Sequence, residues 1–218
     1  KTNAFITVRR STLAKGKSLY ALDESNVLLE QCHIHDSEGI QLEVQQRTKM
    51  YIHQCTIAAG QSNGIKASGQ SYVELTDSQV SDHRFPQLVF DDSQLIVRNC
   101  ELHSGQENGI ILENDAEGFI EDTFISNHGL PQLWVDHNSN VELRSVHFTD
   151  AVASDIFARN HSTIDIYKCF VNNTKMEHNI QALNHSTIDL HDSIIRNTIG
   201  DVFYIENHSS ITKDVEEH

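Results

Sequence analysis

Four charged residues, three acidic and one basic, recur along the chain at almost equal intervals. Asp91, Glu113, Asp136 and Arg159 are 22 or 23 residues apart. If each interval is one structural repeat, the side chains form a column with a spacing of roughly 5 Å between stacked strands. Carboxylates at that separation could share a calcium ion or act as the acid and nucleophile of a retaining glycosidase, and Arg159 could neutralise a uronate carboxylate. The alternative is that they are solvated charges in turns, and the short connecting segments favour it because they cannot wall a cleft.

The intervals between these charged residues belong to a repeat of about 23 residues that runs through the chain. Each copy has the pattern S-x-V-x-L-x-x-C-x-I, a variable stretch, a second apolar pair and a polar turn. Apolar and polar residues alternate at period two, which predicts short strands, and no stretch has the spacing of a helix. Successive copies begin at residues 4, 25, 48, 71, 93, 116, 139, 162, 186 and 209.

A unit of three short strands cannot bury its own apolar face, but units stacked in register form a continuous core. We therefore predict an all-β solenoid, a single domain over residues 1–218 with about nine coils and three short strands per coil. Stacked at the spacing of β-strands, the coils form a rod about 40 Å long. The signature of leucine-rich repeats is absent, so a triangular parallel β-helix is favoured.

The four cysteines occupy one slot of the repeat, which predicts a single buried column. Cys32 and Cys55 fall on adjacent coils, whereas Cys100 and Cys169 are further away, so we expect reduced thiols that pack as small apolar groups. Reduced cysteines and the lack of an apolar leader favour the cytoplasm over secretion. The charged ends lead us to expect a piece of a longer protein.

Asparagine recurs in the turn that precedes each late copy of the repeat. Asn138, Asn160, Asn184 and Asn207 lie one or two residues before a repeat start, and the last three stand in the sequence NHS. Asparagine tolerates a left-handed backbone, and stacked asparagines form amide ladders. We therefore interpret them as an inward-pointing ladder rather than as glycosylation sites, although NHS is an acceptor sequence.

The S-x-V-x-L-x-x-C-x-I coil and its G-I-x-L strand resemble the right-handed parallel β-helix repeats of the pectin-lyase-like superfamily. The resemblance covers residues 4–211 and implies the right hand of the helix. It does not select a function, because the superfamily contains lyases, polygalacturonases, tailspikes, adhesins and non-catalytic modules. Similar repeats are also fused to larger bacterial proteins, including AAA-type ATPases. The Asn-Thr-Asp and Arg-Ile-Lys segments of polygalacturonases are missing here.

Two columns of residues are expected to point outward and to be apolar over several coils. In the third strand of each copy, the residue between the two core slots must face solvent, and the only tryptophan is among these residues. A contiguous apolar column is more often a contact surface than an accident. We predict a binding strip at Val89, Ile111, Trp134 and Phe157, within a column that runs Tyr20, Gln41, Lys66, Val89, Ile111, Trp134, Phe157, Gln181 and Tyr204. The second strand contributes Phe124, His147, Phe170 and Ile194.

A longer repeat of two coils lies over the shorter one. GQSNGI at 60–65 returns as GQENGI at 105–110, and FPQLVFD at 85–91 returns as LPQLWVD at 130–136, in each case 45 residues later. His83 and His128 therefore occupy matching positions. Shared ancestry and turn geometry account for this duplication; functional loops along one edge are the alternative.

Composition removes several classes of function. The chain has 31 acidic and 16 basic residues, and this net charge of -15 argues against nucleic acid as a partner. No apolar run is long enough to span a membrane. The 14 histidines show no recurring metal-ligand spacing, so we expect no metal site and no cofactor; calcium enters only with a polysaccharide substrate.

Two functions remain open. The first, which the uniform coils and apolar strip favour, is a non-catalytic module that presents a flat face to a protein partner or to a neighbouring domain of its own chain. The second is a polysaccharide-binding or polysaccharide-degrading protein that uses Asp91, Glu113, Asp136, Arg159 and Trp134. Self-association through the apolar strip or through the ends of the rod is a further expectation.

Overall fold

The computed structural model describes residues 4–172, 175, 178–196 and 199–214, and it shows three parallel sheets wound into one solenoid. Sheet A contains β1 (Phe5–Arg9), β4 (Asn26–Glu30), β7 (Lys49–His53), β10 (Tyr72–Thr76), β13 (Gln94–Arg98), β16 (Glu117–Glu121), β19 (Asn140–Arg144), β22 (Thr163–Tyr167), β25 (Thr187–His191) and β28 (Ser210–Lys213). Sheet B contains β2 (Thr12–Ala14), β5 (His33–His35), β8 (Thr56–Ala58), β11 (Gln79–Ser81), β14 (Glu101–His103), β17 (Phe124–Ser126), β20 (His147–Thr149), β23 (Phe170–Asn172) and β26 (Ile194–Ile195). Sheet C contains β3 (Leu19–Ala21), β6 (Leu42–Val44), β9 (Ile65–Ser68), β12 (Leu88–Asp91), β15 (Ile110–Glu113), β18 (Leu133–Val135), β21 (Ile156–Arg159), β24 (Ile180–Leu183) and β27 (Phe203–Ile205).

The predicted fold class is confirmed. Within the described ranges every strand pairs in parallel with its counterpart one coil away, and no helix interrupts the series. The alternation of the sequence is the reason: in sheet A, Val27, Met50 and Val73 stack inward in register, and all are buried. Among the described residues, no helix is long and apolar enough to cross a membrane.

One coil departs from the predicted register. The repeat places Ile40 and Leu42 in the core of sheet C, with Gln41 facing outward. In the structure the inward pair of β6 is Leu42 and Val44, and Glu43 faces outward opposite Tyr20 and Lys66. Gln41 is buried and lies before the strand. Glu43 therefore belongs to the outward column of sheet C and not to the charged column that contains Asp91. Residues 36–41 connect sheets B and C here, and the connections of the next five coils are equally long. The error arises because Gly39, Ile40 and Leu42 fit the G-I-x-L pattern two residues ahead of the buried pair.

The corner between sheets A and B explains why the repeat holds cysteine, serine or threonine at one slot in every copy except the one with Val146. The residue before the slot has positive φ, as at Gln31 and Gln54, and the slot side chain then bonds backbone groups that the sheets leave unpaired. Cys55 Sγ accepts a hydrogen bond from the backbone N–H of Cys32, and the thiol donates to the carbonyl of His53. In the next coil, the hydroxyl of Ser78 accepts from the backbone N–H of Cys55 and donates to the carbonyl of Thr76. The thiols are buried and free of disulfides, as predicted, but they act as polar groups and not only as apolar filler.

The corner between sheets C and A holds the asparagine ladder, with one member different from the prediction. Asn184 donates its amide to Asn160 at 3.0 Å, and Asn207 donates to Asn184 at 2.8 Å. Asn160 in turn donates to Asp136, which takes the place predicted for Asn138. Asn138 is the second residue of its left-handed turn, whereas Asn160 is the first. The ladder amides line the turn, half-buried to exposed, and do not point into the core.

The corner between sheets B and C buries two histidines. His83 and His128 are fully enclosed, each against two glycines of the preceding coil. A Cβ atom at Gly60 would lie 2.8 Å from the ring of His83, and one at Gly105 would lie 2.8 Å from the ring of His128. The duplicated GQSNGI and GQENGI segments are therefore glycine-rich because the imidazoles of the next coil occupy the space of a side chain.

These two histidines make the protein acid-sensitive. Burial lowers the pKa of both imidazoles from 6.5 to about 4. Between these values the unfolded chain binds more protons than the folded chain, so the free energy of unfolding should fall as the pH falls. Each histidine should remove on the order of 2–3 kcal/mol by the lower end of this range. Urea unfolding at a series of pH values measures the loss, and equal stability at both ends of the range would contradict it.

Gly118 shows how tightly the core is packed. It fills an inward slot of β16 that other coils fill with valine, leucine, isoleucine or methionine, and a Cβ atom there would lie 2.9 Å from Leu112 and 3.2 Å from Val141. Gly118→Val should therefore overpack the core and lower the free energy of unfolding by about 1–3 kcal/mol. Chemical denaturation checks this, with Glu117→Ala on the outward face of the same strand as the control. A more stable Gly118→Val variant would show that the slot contains unused volume.

Candidate functional site

The predicted charged column lies along the outer edge of sheet C, but its members differ in environment. Asp91 and Glu113 are direct neighbours on β12 and β15, and both are half-buried. Burial, the adjacent carboxylate of Asp91 and that of Asp136 raise the pKa of Glu113. Asp91 accepts a hydrogen bond from the amide of Asn114 at 3.0 Å. These two carboxylates remain accessible to a ligand.

Asp136, in contrast, is turned into the structure and is only 2% exposed. Its Oδ2 accepts from Arg159 Nε at 2.6 Å and from Trp134 Nε1 at 3.3 Å. Its Oδ1 accepts from the backbone N–H of His137 at 2.8 Å and from the amide of Asn160 at 2.7 Å. Its lone pairs are therefore engaged within the fold, which suits a carboxylate that fixes a turn and an arginine better than one that receives a proton from a substrate.

Arg159 joins the charged column to the aromatic part of the face. Its guanidinium lies 4.6 Å from the ring centre of Trp134 while its Nε holds Asp136. Trp134 stacks on Phe157 of the next coil, with ring centres 4.5 Å apart and planes 15° apart. Because both the ring and the guanidinium are held in place, this group is preorganised for contact with a flat apolar or aromatic surface.

The predicted strip is in register, although its first member is not exposed. Val89, Ile111, Trp134 and Phe157 lie side by side on β12, β15, β18 and β21. Val89 is only 8% exposed, so the prediction that it faces solvent is wrong, and the other three are half-buried. An outward position in the strand therefore does not by itself make a side chain exposed.

Three exposed apolar residues beside this strip were missed. Phe85 and Leu130 are each 44% exposed, and Val152 is 42% exposed. They belong to the loops that lead into β12, β18 and β21, four or five residues before Val89, Trp134 and Phe157. That recurring offset was visible in the duplicated FPQLVFD and LPQLWVD segments. We call the strip and these loop residues the sheet C face.

The connections on either side of the sheet C face are short. Residues 82–87 lead into β12, and residues 92–93 lead from it to β13. Segments of this length leave the face open, without the walls that exclude water from an active site. An open groove follows the corner between sheets C and A and is lined by Asp23, Glu24, Gln46, Arg47, Gly69, Gln70 and Asp92, apart from the aromatic strip.

The second predicted column lies on the outside of sheet B. Phe124, His147, Phe170 and Ile194 are in register on four coils, and Phe124 and Ile194 are more than half exposed. The ring of His147 lies 4.7 Å from Phe124 and 5.9 Å from Phe170.

The outside of sheet A carries an acidic column that the sequence analysis did not predict. Glu142, Asp165 and Asp189 are in register there, and burial together with the carboxylates of Asp189 and Glu142 raises the pKa of Asp165. Across the described residues, no three histidine, cysteine, aspartate or glutamate side chains are grouped to hold a metal ion.

Comparison with known proteins agrees with the parallel coils and their register. A family model described as right-handed beta helix region matches residues 1–114 and again residues 88–215. The chain belongs to the right-handed β-helix family. Among solved structures, this β-helix protein is similar to the pectate lyase Pel9A, with a TM-score of 0.54 and 9% sequence identity over 99% of this chain and 71% of that chain. At this identity the likeness is one of fold. A search of curated protein sequences gives no match.

The role of Asp136 can be tested through stability. Asp136 now accepts hydrogen bonds on both oxygens, so Asp136→Asn would place an amide N–H against one of these donors. It would also leave Arg159 without its carboxylate partner. We expect the free energy of unfolding to fall by about 2–3 kcal/mol, less than for a fully buried pair because Arg159 is partly exposed. Asp91→Asn, on the open part of the same column, should change it by less than about 0.5 kcal/mol. Unchanged or increased stability in Asp136→Asn would instead favour a strained catalytic carboxylate.

Proposed function

We propose that this β-helix protein is a non-catalytic binding module, and that its sheet C face docks on a protein partner or on a neighbouring domain of its own chain. The observation that supports this most is the rigid group of Trp134, Phe157 and Arg159 on an open, flat sheet. Aromatic residues and arginine are the side chains most enriched at the energetic centre of protein interfaces. Larger proteins that incorporate such a module, for example ATPases, are compatible with this role.

The absence of catalysis is part of the proposal and rests on the state of the charged column. Of the three carboxylates, Asp136 is engaged by the backbone of His137 and by Trp134, Arg159 and Asn160. The remaining pair, Asp91 and Glu113, lies on an open surface where water would compete for any intermediate. A binding surface needs neither a free base nor a closed cleft, so the geometry suits recognition better than chemistry.

Polysaccharide binding is the second candidate, and one observation favours it. Stacked aromatic rings beside carboxylates and an arginine could hold a sugar ring and pair with a uronate. In that case Asp91 and Glu113 would be the residues to bind calcium or to act on the substrate. The likeness to a pectate lyase concerns the fold and leaves this choice open.

Photo-crosslinking tests the protein-partner proposal. A benzophenone amino acid at Ile111 should crosslink to a defined protein in extracts of the source cells, whereas the same group at Gln79, on sheet B, should not. The purified partner should then bind the module and change the fluorescence of Trp134, the single tryptophan. Ile111→Ser and Phe157→Ser should weaken this binding at least about tenfold, as expected for residues at an interface centre. Gln79→Ser is the matched control.

The competing function gives a different result in the same assay. Oligosaccharides of uronic acids and of neutral sugars, added with and without calcium, should leave Trp134 fluorescence unchanged and should not be cleaved. Saturable fluorescence changes with one glycan, lost in Phe157→Ser, would overturn the proposal in favour of carbohydrate recognition. Release of unsaturated or reducing products would show an enzyme.

A further inference from the structure

The accessible part of the apolar strip is centred on β18. Because Val89 is only 8% exposed, the strip that a partner can reach consists of Ile111 on β15, Trp134 on β18 and Phe157 on β21. Ile111 and Phe157 are each one coil, about 4.8 Å, from Trp134. The strip therefore presents an apolar side chain at the same distance on both sides of its centre.

The charged column has the same centre but carries opposite charges at its two ends. Glu113 ends β15, Asp136 directly follows β18, and Arg159 ends β21. Asp136 is enclosed and its charge is paired with Arg159, so it offers no open carboxylate to a partner. A carboxylate on one side of β18 and a guanidinium on the other thus lie at equal distances from the central strand.

Both of these end groups have unused hydrogen-bonding capacity. Within the part of the chain that the structure describes, the half-buried carboxylate of Glu113 has no hydrogen-bond or ion-pair partner. Arg159 uses Nε to hold Asp136, its side chain is 38% exposed, and its two terminal nitrogens bond no acceptor among the described residues. Carboxylate and guanidinium form strong charge-assisted bonds, so each group is the natural partner of the other.

We propose that the protein partner of the sheet C face is a second copy of this chain, packed face to face about a two-fold axis that runs along β18. Such an axis reverses the direction of the rod and keeps the direction of the strands, so β15 of each copy meets β21 of the other. Ile111 then packs on Phe157 and Glu113 pairs with Arg159, and each contact is made twice. This inference rests on the proposed function, because it names the partner of the same surface.

The charges select this position of the axis. Moving the axis one coil to β15 would set Glu113 opposite Glu113 of the second copy, and moving it to β21 would set Arg159 opposite itself. Half a coil toward β15, Glu113 would face Asp136, and half a coil toward β21 it would face Leu183. Like charges opposite each other disfavour association, so the axis at β18 is the one that pairs Glu113 with a cation.

The area of contact is sufficient for a dimer. Sheet C has three strands beyond β18, namely β21, β24 and β27, and these would cover β15, β12 and β9 of the second copy. Seven strands at about 4.8 Å and a width of about seven residues at about 3.3 Å give roughly 700–800 Å² per copy. Each partner in a stable complex buries roughly 800 Å². The position that the charges select therefore also gives an interface of ordinary size.

The net charge of -15 opposes association at long range. At about 0.15 M salt the screening length is about 8 Å, so groups that face each other directly decide the outcome. Away from the axis, Val89 would lie opposite Gln181, Lys66 opposite Tyr204 and Asp91 opposite Leu183, so none of these pairs sets like charges together. The two Asp136 side chains lie near the axis, but each is enclosed within its own copy.

Analytical ultracentrifugation of the purified chain at about 0.15 M salt tests the dimer. We expect an equilibrium between monomer and dimer with a dissociation constant of about 1–100 µM, which is at the weak end for an interface of this size. Phe157→Ser should weaken the dimer at least about tenfold, because this residue would lie near the interface centre. A monomer at every concentration up to about 500 µM, well above the expected constant, would overturn the proposal.

Two charge reversals on the same column test the position of the axis. Glu113→Arg would set an arginine opposite Arg159 of the second copy and should weaken the dimer at least about tenfold. Asp91→Arg makes the same change in net charge but lies opposite Leu183, so it should change the dissociation constant less than about threefold. Equal effects of the two variants, or a larger effect of Asp91→Arg, would contradict the axis at β18.

Failure of the dimer and failure of the proposed function give different results. If the chain stays monomeric while a photo-crosslinker at Ile111 captures a different protein, the second copy is excluded and the docking function stands. A dimer that neither Phe157→Ser nor Glu113→Arg weakens uses another surface, such as the ends of the rod, and overturns the inference. A monomer with no crosslink at Ile111 removes both proposals.

Discussion

The need to satisfy backbone groups at the three corners of every coil governs this structure. Along the sheets, each strand pairs with the coil above and the coil below, but the chain must bend three times per coil, and a bend removes peptide groups from the ladder. Side chains replace the missing partners. Cysteine and serine do so between sheets A and B, Asp136 does so between sheets C and A, and glutamine does so between sheets B and C. Asparagine and histidine side chains then bond these polar groups or one another.

These polar ladders set the geometry of the surface that a partner would meet. Asp136 belongs to the turn between sheets C and A, because it accepts from Asn160 and from the backbone of His137. The same carboxylate holds Arg159, and Arg159 lies over Trp134. A bond that the fold requires at a corner thus fixes the rotamers of the sheet C face. The rigidity of that face is a consequence of the solenoid and lowers the entropy lost on binding.

The fold could be predicted almost completely from the sequence because every copy of the repeat shows the same alternation of apolar and polar residues. An apolar residue at one slot means little, but apolar residues at matching slots in successive coils leave one way to bury them. The prediction placed Gln41 outside because Gly39, Ile40 and Leu42 fit the G-I-x-L pattern two residues ahead of the buried pair. For Val89 it gave the correct outward register but the wrong exposure. It also placed Asn138 in the ladder because two adjacent positions of the turn both tolerate left-handed backbone.

What the sequence determined by itself was the period, the parallel strands, the inward slots and the columns of the sheets, since all of these follow from local alternation and stacking. What only the tertiary structure decided was which polar atoms meet across coils. Asp136 is spaced like a member of an open carboxylate pair, yet it is enclosed by groups from two coils. His83 and His128 have the same sequence surroundings, yet they bond different glutamines through different nitrogens. Such choices depend on distances of tenths of an ångström and on proton positions, and residue spacing does not encode either.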